Sequence, residues 1–315
     1  MQFQSLLESY IIVLALVGSA VWLRRRMVIA KGEEGVFPRL VTDFALPALI
    51  FANLSREPLE WRDLELALIL FAAITAVMTV AWLIGRWMRL DAPSLGSVIL
   101  VSGVGSTSTL GYSLIENIYG DNTDIMRQIV VMGEFGVILP LFVFGAAIAR
   151  YFGAEGEGRP SLGAAIRGFF CSPIFVALVL GLLASAIGLR QDYWVVQLLN
   201  SFLQVVSDSL MFLVAFTIGL MLRPVALVQI LKLFVLVSVL KLVMEPLVAI
   251  GFATALGMPD LQRDILLVEA AMPSGALATV IAARYGCDAP LASALLIGTL
   301  GLSLIAIPLI SYLAL

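Results

Sequence analysis

The chain has 315 residues, of which 61% are hydrophobic and 13% charged, with a formal net charge of -3 and no histidine. A soluble domain is about 45–50% apolar and 25% charged, so this balance, with a mean hydropathy of +1.04, excludes an ordinary soluble protein. No basic block suits nucleic acid, and two cysteines, Cys171 and Cys287, give neither a disulfide framework nor metal-ligand spacing.

Ten apolar stretches follow in chain order, each long enough for a bilayer crossing of roughly 20 residues: 4–23, 36–55, 64–85, 94–119, 126–149, 164–188, 195–221, 231–256, 262–285 and 288–313. Glu8 precedes most of the first and Arg24-Arg25-Arg26 follow it, the reverse of a cleavable leader. The second carries Asp43. The fourth is interrupted at Gly103-Val104-Gly105-Ser106-Thr107-Ser108-Thr109 and runs out at Tyr119-Gly120. The fifth holds Glu134, which reads as lining a wet outer vestibule, and Leu139-Pro140-Leu141. The loop from Arg150 to Gly163, rich in Gly and Glu, divides the stretches five and five and predicts two halves, 1–155 and 156–315. Asp208 falls mid-way along the seventh stretch. Lys241 and Glu245, four apart on the eighth, can pair. The ninth is interrupted at Ala271-Met272-Pro273-Ser274-Gly275 and runs out at Tyr285-Gly286; the tenth contains Ile307-Pro308-Leu309.

The two interrupted stretches lie 166 residues apart, with Tyr119-Gly120 in register with Tyr285-Gly286. Paired interruptions in two halves point to a transporter's binding site. Placing the N-terminus outside puts thirteen of the 19 Lys and Arg on cytoplasmic loops and five on outer loops, with Lys241 inside a span. This positive-inside bias predicts both termini outside, and five spans per half make the repeats inverted. The expected fold is an all-α membrane protein of ten helices in two inverted five-helix repeats, with helices 4 and 9 broken.

Proline inside a helix removes a donor, and in lipid such a break is tolerated where backbone lines a cavity or is buried. If the breaks cross at the midplane, two half-helix N-termini near Leu110 and Gly275 face one spot, each with about half a positive charge. Unpaired amides there would form an anion site. The candidate substrate-binding residues are Gly105, Ser106, Thr107, Ser108, Thr109, Met272, Pro273, Ser274 and Gly275. Ionisable residues inside spans are functional candidates by default. They are Glu269, one turn before Pro273, with Asp208, Glu134, Lys241 and Glu245.

Several of these residues carry a family resemblance. Asp43-Phe44-Ala45-Leu46-Pro47-Ala48-Leu49-Ile50-Phe51, Leu110-Gly111-Tyr112, Ser172-Pro173, and above all Ala270-Ala271-Met272-Pro273-Ser274 followed by Ala282-Ala283-Arg284-Tyr285-Gly286 resemble the auxin efflux carrier family. Its prokaryotic members include malate and malonate permeases. Ser106 stands where that family usually has Asn, and Ser108 and Ser113 where Gly and Pro fall. The resemblance implies crossed helices 4 and 9, and a scaffold of helices 1, 2, 6 and 7 beside a transport domain of 3–5 and 8–10. It also implies elevator-type motion, an organic-anion substrate and, in many members, a homodimer. The related bile-acid sodium symporters place a glutamate before their ninth-helix crossover as a sodium ligand. By that likeness Glu269, with Thr107 and Thr109, would form a sodium site.

The reading is therefore a multi-pass inner-membrane transporter of a small mono- or dicarboxylate, coupled to Na+ or H+ and needing no cofactor. A sodium-coupled bile-acid-like symporter and a channel are the alternatives. An enzyme is not expected: a serine intramembrane protease needs a Ser–His pair, and the aspartyl type needs Asp after Gly-x-Gly, where Ser106 follows Gly105.

Overall fold

Inside a bilayer a chain must satisfy its amides internally, which leaves helices or closed barrels. In the computed structural model, which describes residues 2–29, 32–56, 61–120, 122–153, 163, 167–168, 170, 172–187, 193–223 and 227–314, the chain is helical throughout. Its one extended feature among the described residues is an isolated antiparallel bridge, Gly105 to Ser274. Cys171 and most of the Gly/Glu-rich loop lie outside the described residues.

In chain order the helices are α1 Gln2–Arg25, α2 Glu33–Ser55, α3 Trp61–Trp87, α4 Ala92–Gly103, then α5, wound over Thr107–Gly111 and Tyr112–Tyr119. There follow α6 Asp124–Gly153, α7 Pro173–Ile187, α8 Trp194–Met221, α9 Ile230–Ala255, α10 Asp260–Ala270, α11 Ala276–Tyr285 and α12 Ala289–Ala314. Among the described residues six regions are long and apolar enough to cross a membrane: α2, Leu64–Trp87, α6, α8, α9 and Ala289–Ile310.

Prolines shape these helices. A proline at i leaves the carbonyl at i−4 without its usual donor, and the ladder can shift there to wider π turns. Three π turns sit immediately N-terminal to a proline: Val41–Ala45 before Pro47, Met132–Ile138 before Pro140, and Leu240–Met244 before Pro246. They contain Asp43, Glu134 and Lys241 respectively. The two matched ends also agree, since Gly120 and Gly286 both adopt a positive φ, 69° and 86°. Only glycine turns out of a helix this way without strain.

Two sets of helices pack closely. α2 lies on α7 and α8, and α1 on α8. α3 lies against α4, α6 and α9, α10 against α9, and α12 against α9 and α11. The largest cluster of buried side chains runs through the second set, including Leu70, Leu100, Ile129, Leu266 and Leu295. Large apolar side chains such as Trp22, Leu83, Trp87, Val205 and Ile305 point outward. In water so broad an apolar surface would drive association; against lipid tails it is the expected face.

Candidate functional site

The interrupted stretches meet through their main chains. α4 ends at Gly103 and Val104 turns extended, at φ -91° and ψ 122°. The Ser106 amide donates to the Pro273 carbonyl at 2.9 Å, and the Gly275 amide donates to the Val104 carbonyl at 2.6 Å. Close approach explains the glycine: a Cβ on Gly275 would stand 2.6 Å from the Gly105 carbonyl oxygen. Ser274, fully buried, donates its hydroxyl to the Val101 carbonyl at 2.7 Å. Pro273 has no amide to lose, and its carbonyl has found a partner in the Ser106 amide.

This join corrects one expectation. The amides of Ser106 and Gly275 are engaged across the bridge rather than open to a ligand. What an anion can use instead are the first-turn amides of α5 and α11, at Thr107, Ser108, Thr109, Ala276 and Leu277, which have no acceptor inside their helices. A cavity of ≈ 100 Å³ lies at these two starts; Gly105, Ser106, Thr107, Ser274 and Gly275 form its polar end, and the rest of its wall is apolar, with Val13 of α1 and Met211 of α8 among the lining side chains. Met272 is buried outside it. The side chains of Ser108 and Thr109 lie outside the described residues. Larger hollows of ≈ 300 and ≈ 560 Å³ elsewhere are lined mainly by apolar side chains of α3, α4 and α6, and of α9, α10 and α12.

The intramembrane charges sort into two groups. Lys241 and Glu245 form a direct ion pair, 0% and 1% exposed. The Lys241 ammonium faces the break: a Cβ on Gly105 would stand 3.0 Å from its Nζ. Glu269 is 1% exposed, and a Cβ on Gly111 would stand only 2.4 Å from its Oε1. Gly111 is therefore the seat of that carboxylate, and Lys241 is within its electrostatic reach. Neither Glu269 oxygen has a hydrogen-bond partner among the described residues. Tyr112, next along α5, is close enough to both Glu269 and Glu134 to feel their charge.

Glu134 is buried and accepts a hydrogen bond from Asn53 of α2 at 2.7 Å, so it does not line an open vestibule. The physical reason is the π turn around Glu134, in a stretch buried nearly throughout. Asp208 is exposed on α8 and accepts from Gln204 at 2.9 Å, away from the cavity lining. Asp43 pairs with Arg284 at 3.0 Å, joining α2 to α11. Asn53, Gly111 and Tyr112 were not singled out as site residues. Gly111 and Tyr112 signalled themselves only as part of a motif, and Asn53 only as a polar residue in an apolar run.

The chain belongs to the membrane transport protein family, the auxin efflux carrier-like group, whose model matches residues 5–154 and 158–311. It is a multi-pass membrane transporter. It is 27% identical over 311 residues to an uncharacterized transporter of Methanothermobacter thermautotrophicus, covering 98% of both chains. It is 25% identical over 304 residues to an uncharacterized transporter of Methanocaldococcus jannaschii, covering 95% of both. Over 185 residues, 57% of both chains, it is 24% identical to the uncharacterized transporter YfdV of Escherichia coli.

Proposed function

We propose that the chain is a secondary transporter of a small organic anion, working by alternating access around the junction of α4–α5 with α10–α11. One observation carries the reading: main-chain bonds at Ser106 and Gly275 bring the starts of α5 and α11 to a single cavity. Each start contributes the positive end of a helix dipole, and together they can hold a carboxylate without a buried arginine. Thr107, buried at the cavity wall, adds a hydroxyl.

Supporting the ten-helix reading are the two broken stretches, the matched positive-φ glycines and the two blocks of the family match. In it, α4 with α5 and α10 with α11 form the crossed fourth and ninth helices. The cavity lies between α1 and α8 on one side and the broken helices on the other. That placement supports sliding of α3–α6 and α9–α12 past α1, α2, α7 and α8, which is the elevator reading. A volume of ≈ 100 Å³ favours a mono- or dicarboxylate over a sterol-sized anion, since drug-sized ligands need about 300 Å³ or more.

The experiment is uptake into proteoliposomes of radiolabelled malonate, malate and indole-3-acetate by wild type and Pro273→Ala. Alanine restores an amide that can bond back to Glu269 and run α10 onward through the junction. Uptake by wild type and its loss in the variant support the site. Uptake unchanged in Pro273→Ala removes the junction as the place of binding. Unitary currents in a planar bilayer would identify a channel instead.

A further inference from the structure

Resting on the junction as the transport site, we infer that Glu269 is a proton-carrying residue beside the Lys241–Glu245 pair, and that the coupling ion is H+ rather than Na+. Three groups make the argument. Lys241 and Glu245 are in direct contact and cancel each other. Glu269 is the odd carboxylate, equally buried, with neither oxygen hydrogen-bonded by any described residue. A buried ionised carboxylate that receives no hydrogen bond from the described residues is costly, whereas the protonated acid is neutral and leaves the cluster balanced.

The surroundings fit a proton better than a metal ion. Lys241 already places a cation beside Glu269, so a sodium ion there would face an ammonium. Gly111 presents only a Cα against the carboxylate, not an oxygen-bearing side chain. Among the described residues the groups facing Glu269 from each packed element are few. α9 brings Lys241 and Glu245, and α5 brings Tyr112, behind which Glu134 of α6 is tied to Asn53. Helices α3 and α12 place no ionisable side chain in the buried interior among the described residues.

Coupling follows from position. Glu269 sits against α5, whose first turn lines the cavity. An anion bound there repels an ionised Glu269 and so favours its protonated form; by linkage, protonation tightens anion binding equally. The loaded carrier would take one proton from water on the loading side and release it when the cluster is opened to the other. This is proton–anion symport.

Infrared difference spectroscopy of the purified full chain tests the site without a substrate. Wild type at neutral pH should show the C=O stretch of a protonated carboxylic acid that Glu269→Gln removes and Glu269→Asp shifts. That band should be indifferent to sodium chloride against potassium chloride and should bleach as pH rises. Absence of such a band, its survival in both variants, or its loss on adding sodium alone overturns the inference. If Glu269→Gln does not fold, Glu269→Asp with isotope-labelled aspartate gives the same reading. A band present as expected, combined with undiminished uptake by Pro273→Ala, would leave the proton site standing and remove the junction reading beneath it.

Discussion

Lys241→Met removes a cation that is wholly buried against the break and in contact with an equally buried Glu245. The stranded carboxylate has no other partner, since Glu245 Oε2 already lacks one among the described residues. Breaking a buried pair from one side costs about 3–5 kcal/mol, whereas replacing both members with apolar groups of like volume is often neutral. Lys241→Met should therefore destabilise by about 3–5 kcal/mol, and Lys241→Met with Glu245→Met should recover most of that loss. At about 2 °C per kcal/mol for a chain of this size, the single variant loses about 6–10 °C in Tm. Thermal unfolding in one detergent, read by tryptophan fluorescence and by size-exclusion survival, makes the comparison. If the double variant is as unstable as the single, the reasoning fails at a definite place: Glu269 would then be ionised and leaning on Lys241. A single variant as stable as wild type would mean that the pair is solvated.

Gly111→Ala should drive its Cβ into Glu269 and cost about 1–3 kcal/mol with loss of transport. Gly18→Ala, where nothing lies within 4 Å, serves as control and should be neutral or slightly stabilising in the same thermal assay. Asn53→Leu leaves the buried Glu134 without its donor and should cost about 1–3 kcal/mol, with much of the loss restored by adding Glu134→Leu. Asp43→Ala breaks a half-exposed pair and should change stability by under about 1 kcal/mol, so a large loss of Tm would show an unrecognised role. The bias of the basic loops predicts that both termini lie outside, so a reporter active only in the cytoplasm, fused after Leu315, should stay silent; a strong signal would sink that topology.

The all-helical, membrane-spanning class of the fold was legible because lipid simplifies the code. Apolar runs interrupted by charge or glycine mark helices, and the segments expected at 64–85, 195–221 and 288–313 match α3, α8 and α12 closely. Pro273 announced its break because proline has one physical consequence in a helix. Lys241 and Glu245 were legible as neighbours because four residues make one helical turn. The long-range polar contacts were not. Asn53 and Glu134 are 81 residues apart and Asp43 and Arg284 are 241 apart, and nothing local marks either partner. Gly111 as the seat of Glu269 is a matter of packing between α5 and α10, which periodicity does not carry. The free amide expected at Gly275 is engaged for a related reason. Two strand-like breaks lying side by side satisfy each other first.

That mutual satisfaction has an evolutionary consequence. The main-chain part of the join between the two broken stretches is made of peptide groups, Ser106 to Pro273 and Gly275 to Val104, beside the Ser274 hydroxyl bonded to Val101. Peptide groups are present whatever the side chain, so the seam holds with serine at 106 as it would with asparagine. Ser106 and Thr107 also line the cavity. Such a site can change what it recognises by single substitutions while its geometry stays in place. A lineage of such transporters is thereby free to diversify in cargo on one unchanged backbone.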